Sequence, residues 1–124
     1  MRMSELDELN RRLDEHSKEL MTRSDEYRTQ ALKVVEARNA YDLARAKAML
    51  RTASEHQGDK SWTVDRIKAE ALVLCEPQMT EARIAEAHLD AIKTRLSAVS
   101  DSLSAVQTQA RLLKTEAAVN NYRP

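Results

Sequence analysis

The hydrophobic positions of the chain fall into two long runs with helical spacing, separated by a short polar segment. In the first run an apolar residue recurs every seven positions, at Leu6, Leu13, Leu20, Tyr27, Val34, Tyr41 and Ala48. A companion track three places further on is apolar only at its ends, because its middle positions are His16, Arg23 and Gln30. A repeat of seven residues is typical of coiled-coil helices. The pattern therefore predicts a first helical arm over about residues 4–55.

The second run is more regular than the first. Its apolar positions alternate spacings of three and four without a polar interruption, at Ala82, Ala85, Leu89, Ile92, Leu96, Val99, Leu103, Val106, Ala110, Leu113 and Ala117. A further apolar track lies beside them, at Ile84, Ala91, Ala98, Ala105 and Leu112. An apolar stripe of this width suits a helix that contacts two neighbours. We predict a second helical arm over about residues 63–120 and a frayed tail at residues 122–124.

The segment between the two runs has the residues of a joint. It contains the only glycine and the only tryptophan of the chain. Gly58 is expected to end the first helix and Thr63 to cap the second, so residues 56–62 form the predicted joint. Pro77 falls inside the second run, and a proline in a helix interior removes a backbone hydrogen bond. We therefore expect the second helix to be kinked or broken near Glu76.

The distribution of charge favours folding the two arms against each other. The net charge is −3 over residues 1–26, +4 over residues 27–51, −3 over residues 63–90 and +3 over residues 91–124. In an antiparallel hairpin closed at the joint, each block lies beside a block of opposite sign. Exposed pairs contribute little singly, but the alternation favours this orientation over the alternatives. We predict an all-α fold in which all 124 residues form one domain, a long antiparallel helical hairpin that resembles a coiled coil.

A second apolar stripe runs along the first arm, roughly 160° around the helix from the Val34 and Tyr41 track. Its members are Leu32, Val35, Leu43, Ala46, Leu50 and Ala53, with Asn39 in the gap. A helix with two apolar faces must be covered on both. We predict that Leu32, Val35, Leu43, Ala46 and Leu50 form a self-association face and that two hairpins dimerise into a four-helix bundle. The alternative is an alanine-weighted surface on a monomeric hairpin.

Composition argues against a globular enzyme and against export. The chain has no Phe, one Trp, three Tyr and one Gly, so an α/β enzyme or a glycine-rich phosphate-binding loop is not expected. No apolar stretch approaches the ~18 residues of a membrane span, and the first residues lack the apolar core of a signal peptide. A single cysteine is compatible with a reducing compartment. We expect a cytoplasmic protein with no membrane association.

Candidate catalytic and metal-binding side chains are sparse. No two of His16, His56 and His88 have the i, i+4 spacing that holds a metal on a helix. His16 fits a polar seam residue that fixes register better than a catalytic one. Cys75 follows three apolar residues and is expected to be a small buried side chain rather than a nucleophile. We assign no catalytic residue, no metal ligand and no cofactor.

A basic block on the first arm is the strongest candidate binding feature. Lys33, Lys47 and Arg51 fall within roughly 40° of one another on the helix, between its two apolar stripes. Basic residues in such a row bind phosphates in a salt-sensitive way that does not depend on base sequence. They are candidate contacts for single-stranded DNA or for a protein partner. The alternative is that they pair with the acidic block at residues 65–90.

Two stretches of the chain resemble short helical-hairpin proteins encoded by tailed phages. The stretches are EARNAYDLARAKAML at residues 36–50 and TVDRIKAEA at residues 63–71. The shared pattern consists of Tyr41, Ala46, Lys47, Ala48, Leu50, Thr63, Val64, Asp65, Lys68 and Ala69. These phage proteins are encoded in early regions, beside replication and recombination genes, so the resemblance implies a bacterial host cytoplasm and an accessory role in phage DNA metabolism. Pro77 departs from the uninterrupted second helix of the group.

These observations lead to one expected function and two alternatives. We expect a non-enzymatic, phage-type helical interaction protein that acts in DNA replication or recombination by contacting a second protein or single-stranded DNA, and that also pairs with itself. The first alternative is an inhibitor of a host defence enzyme, anti-CRISPR-like or otherwise anti-defence. The second is a structural spacer of the virion. Salt-dependent DNA binding, capture of a host nuclease and incorporation into particles distinguish the three.

Overall fold

The protein is all-helical over the residues that the structure describes. The computed structural model describes the backbone of residues 2–122 and the side chains of residues 4–120. It contains α1 (Arg2–Glu55), α2 (Val64–Leu74) and α3 (Glu76–Tyr122), with no strand in this range. The two long helices pack against each other. The all-α class predicted from the sequence is therefore confirmed, whereas the tail predicted at residues 122–124 lies, except for the backbone of Tyr122, outside the described residues.

Helix α1 buries the face that its heptad pattern selects. Every position of the seven-residue track from Leu6 to Ala48 is buried or half-buried, and Val34 is 3% exposed. The companion track is shielded as well, including its three polar members His16, Arg23 and Gln30. The periodicity therefore identifies the covered face of α1, although part of that face is polar.

The segment after α1 reverses the chain in two hydrogen-bonded turns. Asp59 N donates to His56 O at 3.1 Å, and Trp62 N donates to Asp59 O at 3.2 Å. Gly58 lies inside the first turn with a φ of 86°, in the left-handed region that glycine adopts without strain. Gly58 thus permits the reversal, and α1 itself ends three residues earlier, at Glu55.

Helix α2 begins at the predicted cap and ends before the proline. Thr63 has an extended backbone (φ −74°, ψ 164°), and its hydroxyl accepts a hydrogen bond from Arg66 N at 3.2 Å. The helix ends at Leu74, and α3 begins at Glu76. Pro77 then lies in the first turn of α3, where its missing N–H is tolerated. The interruption predicted near Glu76 is therefore observed as a break between two helices.

The described residues form two compact units. Unit 1 combines α1 up to Tyr27 with α3 from Ala91 onward. Its core consists of the buried residues Leu9, Val106 and Ala110, against which Leu13 and Leu113 pack. Each helix supplies part of this core at positions that the heptad patterns predicted.

Unit 2 comprises residues Arg28–Asp90 and holds the joint, α2 and the adjoining parts of the two long helices. Its most buried side chains are small: Val34, Thr52, Ala71, Cys75 and Ala82. Polar contacts also cross from α1 to α3, because Gln30 Nε2 donates to Ala85 O at 3.0 Å and Arg38 Nε lies 2.6 Å from Glu86 Oε1. Unit 2 is thus held by small apolar contacts and a few specific polar ones.

Candidate functional site

The second apolar stripe of α1 lies on the surface of unit 2. We call Leu32, Val35, Leu43, Ala46 and Leu50 the outer stripe. All five are exposed, and the four larger side chains have exposed fractions between 52% and 73%. The contrast with the seam is sharp, because Val34 is covered while its neighbour Val35 is half-exposed. Helical geometry produces this contrast, since successive residues point about 100° apart.

The three basic residues singled out in the sequence are all exposed, and they differ in their partners. Arg51 Nε pairs with Glu55 Oε1 at 2.9 Å within α1. Lys33 and Lys47 form no ion pair with any side chain that the structure describes. Within the acidic block, Glu86 pairs with Arg38 instead. Pairing with that block therefore does not account for the two lysines.

Two of the three basic residues border one groove. Lys47 and Arg51 line a groove of about 250 Å³ together with Leu74, Cys75 and Gln78 at the junction of α2 and α3. Lys33 is not among its lining residues. The structure therefore brings Lys47 and Arg51 to a common site. Lys33 lies outside it, nearer the start of α1.

The joint contains an aromatic stack that the sequence pattern did not predict. The rings of His56 and Trp62 lie parallel with centroids 3.6 Å apart, and Arg66 Cζ lies 4.0 Å from the centroid of the Trp62 ring.

Asp59 and Ser61 form a hydrogen-bonded turn in the joint, because Asp59 Oδ1 accepts hydrogen bonds from Ser61 Oγ at 2.7 Å and Ser61 N at 2.9 Å. These bonds hold the pKa of the Asp59 carboxyl below its ordinary value. The Asp-x-Ser spacing is typical of Asx turns, and it is the sequence signal for the hydrogen bonds between Asp59 and Ser61.

The histidines and the cysteine are dispersed through the fold. His16 is half-buried on the covered side of α1, and His88 is exposed on α3. Cys75 is 1% exposed, and its Sγ lies 3.7 Å from Leu72 O, so it is buried as predicted. Within the described residues no three His, Cys, Asp or Glu side chains are grouped so that they could hold a metal ion.

Unit 1 carries a larger groove of about 570 Å³ between the first turns of α1 and the end of α3. Leu9, Leu112 and Leu113 supply its apolar lining, and the carboxylates of Glu5, Glu8 and Glu116 are among its polar residues. A hydrogen bond from Arg11 keeps the pKa of the Glu8 carboxyl below its ordinary value. Arg12 also lines the groove, and its Nε lies 3.5 Å from Glu8 Oε1, so the groove combines apolar lining with three carboxylates and one guanidinium.

The further apolar track of the second run is exposed along its whole length. Ile84, Ala91, Ala98, Ala105 and Leu112 all lie on the surface of α3, and Leu112 is 63% exposed. The width of the stripe predicted contact with two neighbours. The track itself is left uncovered within this chain, and it supplies the exposed leucine of the unit 1 groove.

No protein-family model, curated protein or solved structure matches the chain. No helix within residues 2–122 combines the length and the apolar character that crossing a membrane requires. The likeness to phage helical hairpins therefore depends on residues 36–50 and 63–71 alone.

Proposed function

We propose that this chain is a non-enzymatic helical interaction protein and that the outer stripe of α1 is its docking face. The observation that carries the proposal is the exposure of Leu32, Leu43 and Leu50 on a helix whose opposite face is covered. Contiguous apolar surface on a folded chain is costly to hydrate and marks sites of protein contact. Helical docking faces bind through leucines at this kind of i, i+3, i+4, i+7 spacing.

The antiparallel hairpin and its dimer belong to the same proposal. In unit 2, Gln30 contacts Ala85, whereas Lys47, further along α1, shares a groove with Cys75. Residues later in α1 thus lie beside residues earlier in the second arm, which supports an antiparallel arrangement. Two such hairpins joined through their outer stripes make a four-helix bundle.

The test of self-association is the molar mass in solution. Light scattering over a range of concentrations is expected to give twice the chain mass of 14.1 kDa at the upper end and to fall toward a single chain on dilution. A mass of one chain at every concentration would contradict self-association, and the stripe would then have to dock another protein.

We further propose that the protein acts in phage DNA replication or recombination, with Lys33, Lys47 and Arg51 contacting single-stranded DNA or a protein that processes it. The resemblance of residues 36–50 supports the setting. The exposure of Lys33 and Lys47, without ion pairs to any described side chain, supports the contact. Lysines without partners gain more from a phosphate than lysines that must first break an ion pair.

DNA binding is tested by anisotropy of a fluorescent oligo-dT. The expected result is binding at low salt that weakens steadily as salt rises from about 50 to 200 mM, because bound phosphates release counterions. Lys33→Gln with Lys47→Gln is expected to weaken binding, whereas Lys93→Gln with Lys114→Gln, two exposed lysines of α3, removes the same charge and leaves it unchanged. No binding at low salt would leave only the protein contact.

Inhibition of a host defence enzyme is the second candidate, and the groove of unit 1 favours it. Its leucines would take an apolar side chain, while Glu5 and Glu116 attract basic residues, which nucleases carry near their DNA-binding surfaces. Capture from host lysate is expected to retain a nuclease with the unaltered chain and to lose it with Leu112→Lys. Loss with Leu43→Lys instead would assign the capture to the outer stripe.

A further inference from the structure

We infer that the outer stripe is occupied by a second copy of this chain, with the two α1 helices antiparallel about a two-fold axis beside Asn39. This inference rests on the proposed docking face and adds the orientation of the pair and the residue at its centre. Four observations carry it: the spacing of the stripe, the exposed amide in its middle, the charges on its flank and the charges that continue its track toward the start of α1.

Four of the five outer stripe positions are symmetric in sequence about Asn39, and the fifth, Leu50, has Arg28 as its counterpart eleven residues before Asn39. Val35 and Leu43 lie four residues before and after it, and Leu32 and Ala46 lie seven before and after. In an antiparallel pair with two-fold symmetry, a residue before the axis faces the residue equally far beyond it in the other copy. Val35 therefore meets Leu43 of the second copy. Leu32 meets Ala46, and a large side chain opposite a small one packs without a gap.

Asn39 interrupts the stripe with an exposed amide. A single asparagine in an apolar helical interface lowers its stability, and it fixes register and orientation because the amide is satisfied only opposite a matching group. At the two-fold axis each Asn39 faces its own copy, where one amide donates to the carbonyl of the other. Shifting the pair by one turn would bury each amide against Leu43 or Val35 without a hydrogen-bond partner.

The flank of the stripe is self-complementary in charge only when the helices run antiparallel. Glu36 and Lys47 lie on the same side of the stripe, about 40° and 60° from Leu32. Both are exposed, and neither forms an ion pair with a described side chain. About the Asn39 axis, Glu36 is displaced from Lys47 of the second copy by roughly 7.5 Å along the helix. Long side chains span such an offset in coiled coils, and symmetry supplies the pair twice. In the dimer Lys47 therefore pairs with Glu36, and Lys33 remains as the lysine of the proposed DNA contact that has no ion pair to a described side chain.

A parallel pair would oppose like charges over the first half of α1. The track of Leu32 and Asn39 continues toward the start of the helix as Asp25, Lys18 and Arg11. With the helices parallel, each of these residues would face its own copy, which is unfavourable, although the ion pairs of Lys18 and Arg11 within α1 reduce the repulsion. Charge therefore selects the antiparallel orientation.

Distances between spin labels test the orientation. Ser54 and Thr29, both exposed on α1, are replaced singly by labelled cysteine in a chain with Cys75→Ala, and circular dichroism checks that each variant keeps its helix content. The expected distances between the two copies are roughly 45 Å for position 54 and roughly 30 Å for position 29, at 1.5 Å of rise per residue. A displaced axis would lengthen one distance as it shortens the other, so the two values locate the axis.

The label distances test the antiparallel axis separately from the proposed docking face. Distances of roughly 10–20 Å at both positions, about one interhelical spacing plus the two labels, would show a parallel dimer. That would overturn the antiparallel axis while leaving the docking face intact. If the two distances together place the two-fold axis away from residue 39, the placement of Asn39 at the axis is wrong. A chain mass of one copy at labelling concentrations would contradict both the inference and the proposed self-association.

The role of Asn39 is tested with a charge at the axis. Asn39→Asp brings two carboxylates together at pH 7, so the dimer dissociation constant is expected to rise about tenfold or more and to recover when the carboxylates are protonated. Asn10→Asp is the matched control, because Asn10 is an exposed asparagine of the same helix in unit 1. Equal dissociation constants for the two variants would overturn the placement of Asn39 at the axis.

Discussion

Both units contain parts of α1 and α3, and the side chains on the exposed side of α1 differ between them. In unit 1 that side carries ion pairs within the helix: Arg11 with Glu8 and Glu15, and Lys18 Nζ with Asp14 Oδ2 at 3.1 Å. In unit 2 the exposed side of α1 carries the leucines of the outer stripe. One continuous helix thus gains an exposed apolar stripe in unit 2, beside charged residues such as Lys47 and Arg51.

This difference separates a part of α1 whose exposed side is stable in water from a part whose exposed side is stabilised by a partner. Ion pairs spaced three and four residues apart stabilise a helix by about 0.2–0.5 kcal/mol each and keep it hydrated. Exposed leucines contribute nothing to the folded chain alone, but each contributes about 1.5–3 kcal/mol when fully covered. On α1, therefore, it is the exposed side in unit 2 where self-association is expected.

The largest expected effect comes from two neighbouring valines of unit 2. Val34→Asp buries a carboxylate that has no partner, so the free energy of unfolding is expected to fall by about 3 kcal/mol or more. Val35→Asp places the same group on the half-exposed outer stripe and is expected to cost less than about 1 kcal/mol. Urea unfolding followed by circular dichroism, at a concentration where the chain is dissociated, measures both. Equal losses would remove the distinction between seam and outer stripe.

The next effect compares the exposed leucines of the two units. Leu43→Lys places a charge in the outer stripe of each copy and is expected to raise the dimer dissociation constant about 100-fold, since two leucine contacts are lost per dimer. Leu112→Lys makes the same change on the exposed face of unit 1 and is expected to leave it unchanged. Sedimentation equilibrium measures both constants. A larger effect from Leu112→Lys would move the self-association face to unit 1.

Much of this contrast is contained in the sequence, because a helical period fixes which residues share a face. All eleven positions of the second run, from Ala82 to Ala117, are buried or half-buried, and all five outer stripe positions are exposed. The positions of Thr63 as a cap and of the break before Pro77 also follow from local chemistry. These features depend on neighbours within a few residues.

The partners of polar side chains were not predictable in the same way. Gln30 interrupts an apolar track and was expected only as a gap in the seam, yet it donates to Ala85 O on the other long helix. The acidic block was the alternative partner for Lys33, Lys47 and Arg51, yet Glu86 pairs with Arg38. Both contacts depend on how two helices are rotated and shifted against each other. A period counted along one helix does not contain that information.

The contact of Gln30 gives the third expected effect. Gln30→Ala removes a half-buried hydrogen bond between α1 and α3 and is expected to lower the free energy of unfolding by about 1 kcal/mol. Gln109→Ala, at an exposed position of unit 1, is expected to change it by less than about 0.5 kcal/mol. Hydrogen exchange of backbone amides locates the loss, which should fall within unit 2. Faster exchange confined to unit 1 would contradict the role of this bond.

The smallest expected effects are acid titrations of one carboxylate in each unit, and they differ in cause. The pKa of Glu8 lies below its ordinary value of 4.5 chiefly through a hydrogen bond from Arg11, and that of Asp59 lies below 3.8 chiefly through hydrogen bonds from Ser61. Because both pKa values are lower in the folded chain, the stabilisation is complete above the ordinary value. It is lost as pH falls through the folded one.

Carboxyl shifts measured by NMR should therefore give midpoints below 4.5 for Glu8 and below 3.8 for Asp59. Added salt should bring the midpoint of Glu8 closer to 4.5, since an exposed ion pair is screened, and should move that of Asp59 less, because the Ser61 donors are neutral. Arg11→Gln and Ser61→Ala are expected to raise the two pKa values separately toward the ordinary ones, and only in part, because Arg12 still acts on Glu8 and the backbone N–H of residue 61 still donates to Asp59. Equal salt dependence at both sites would show that charge, and not the turn, lowers the pKa of Asp59.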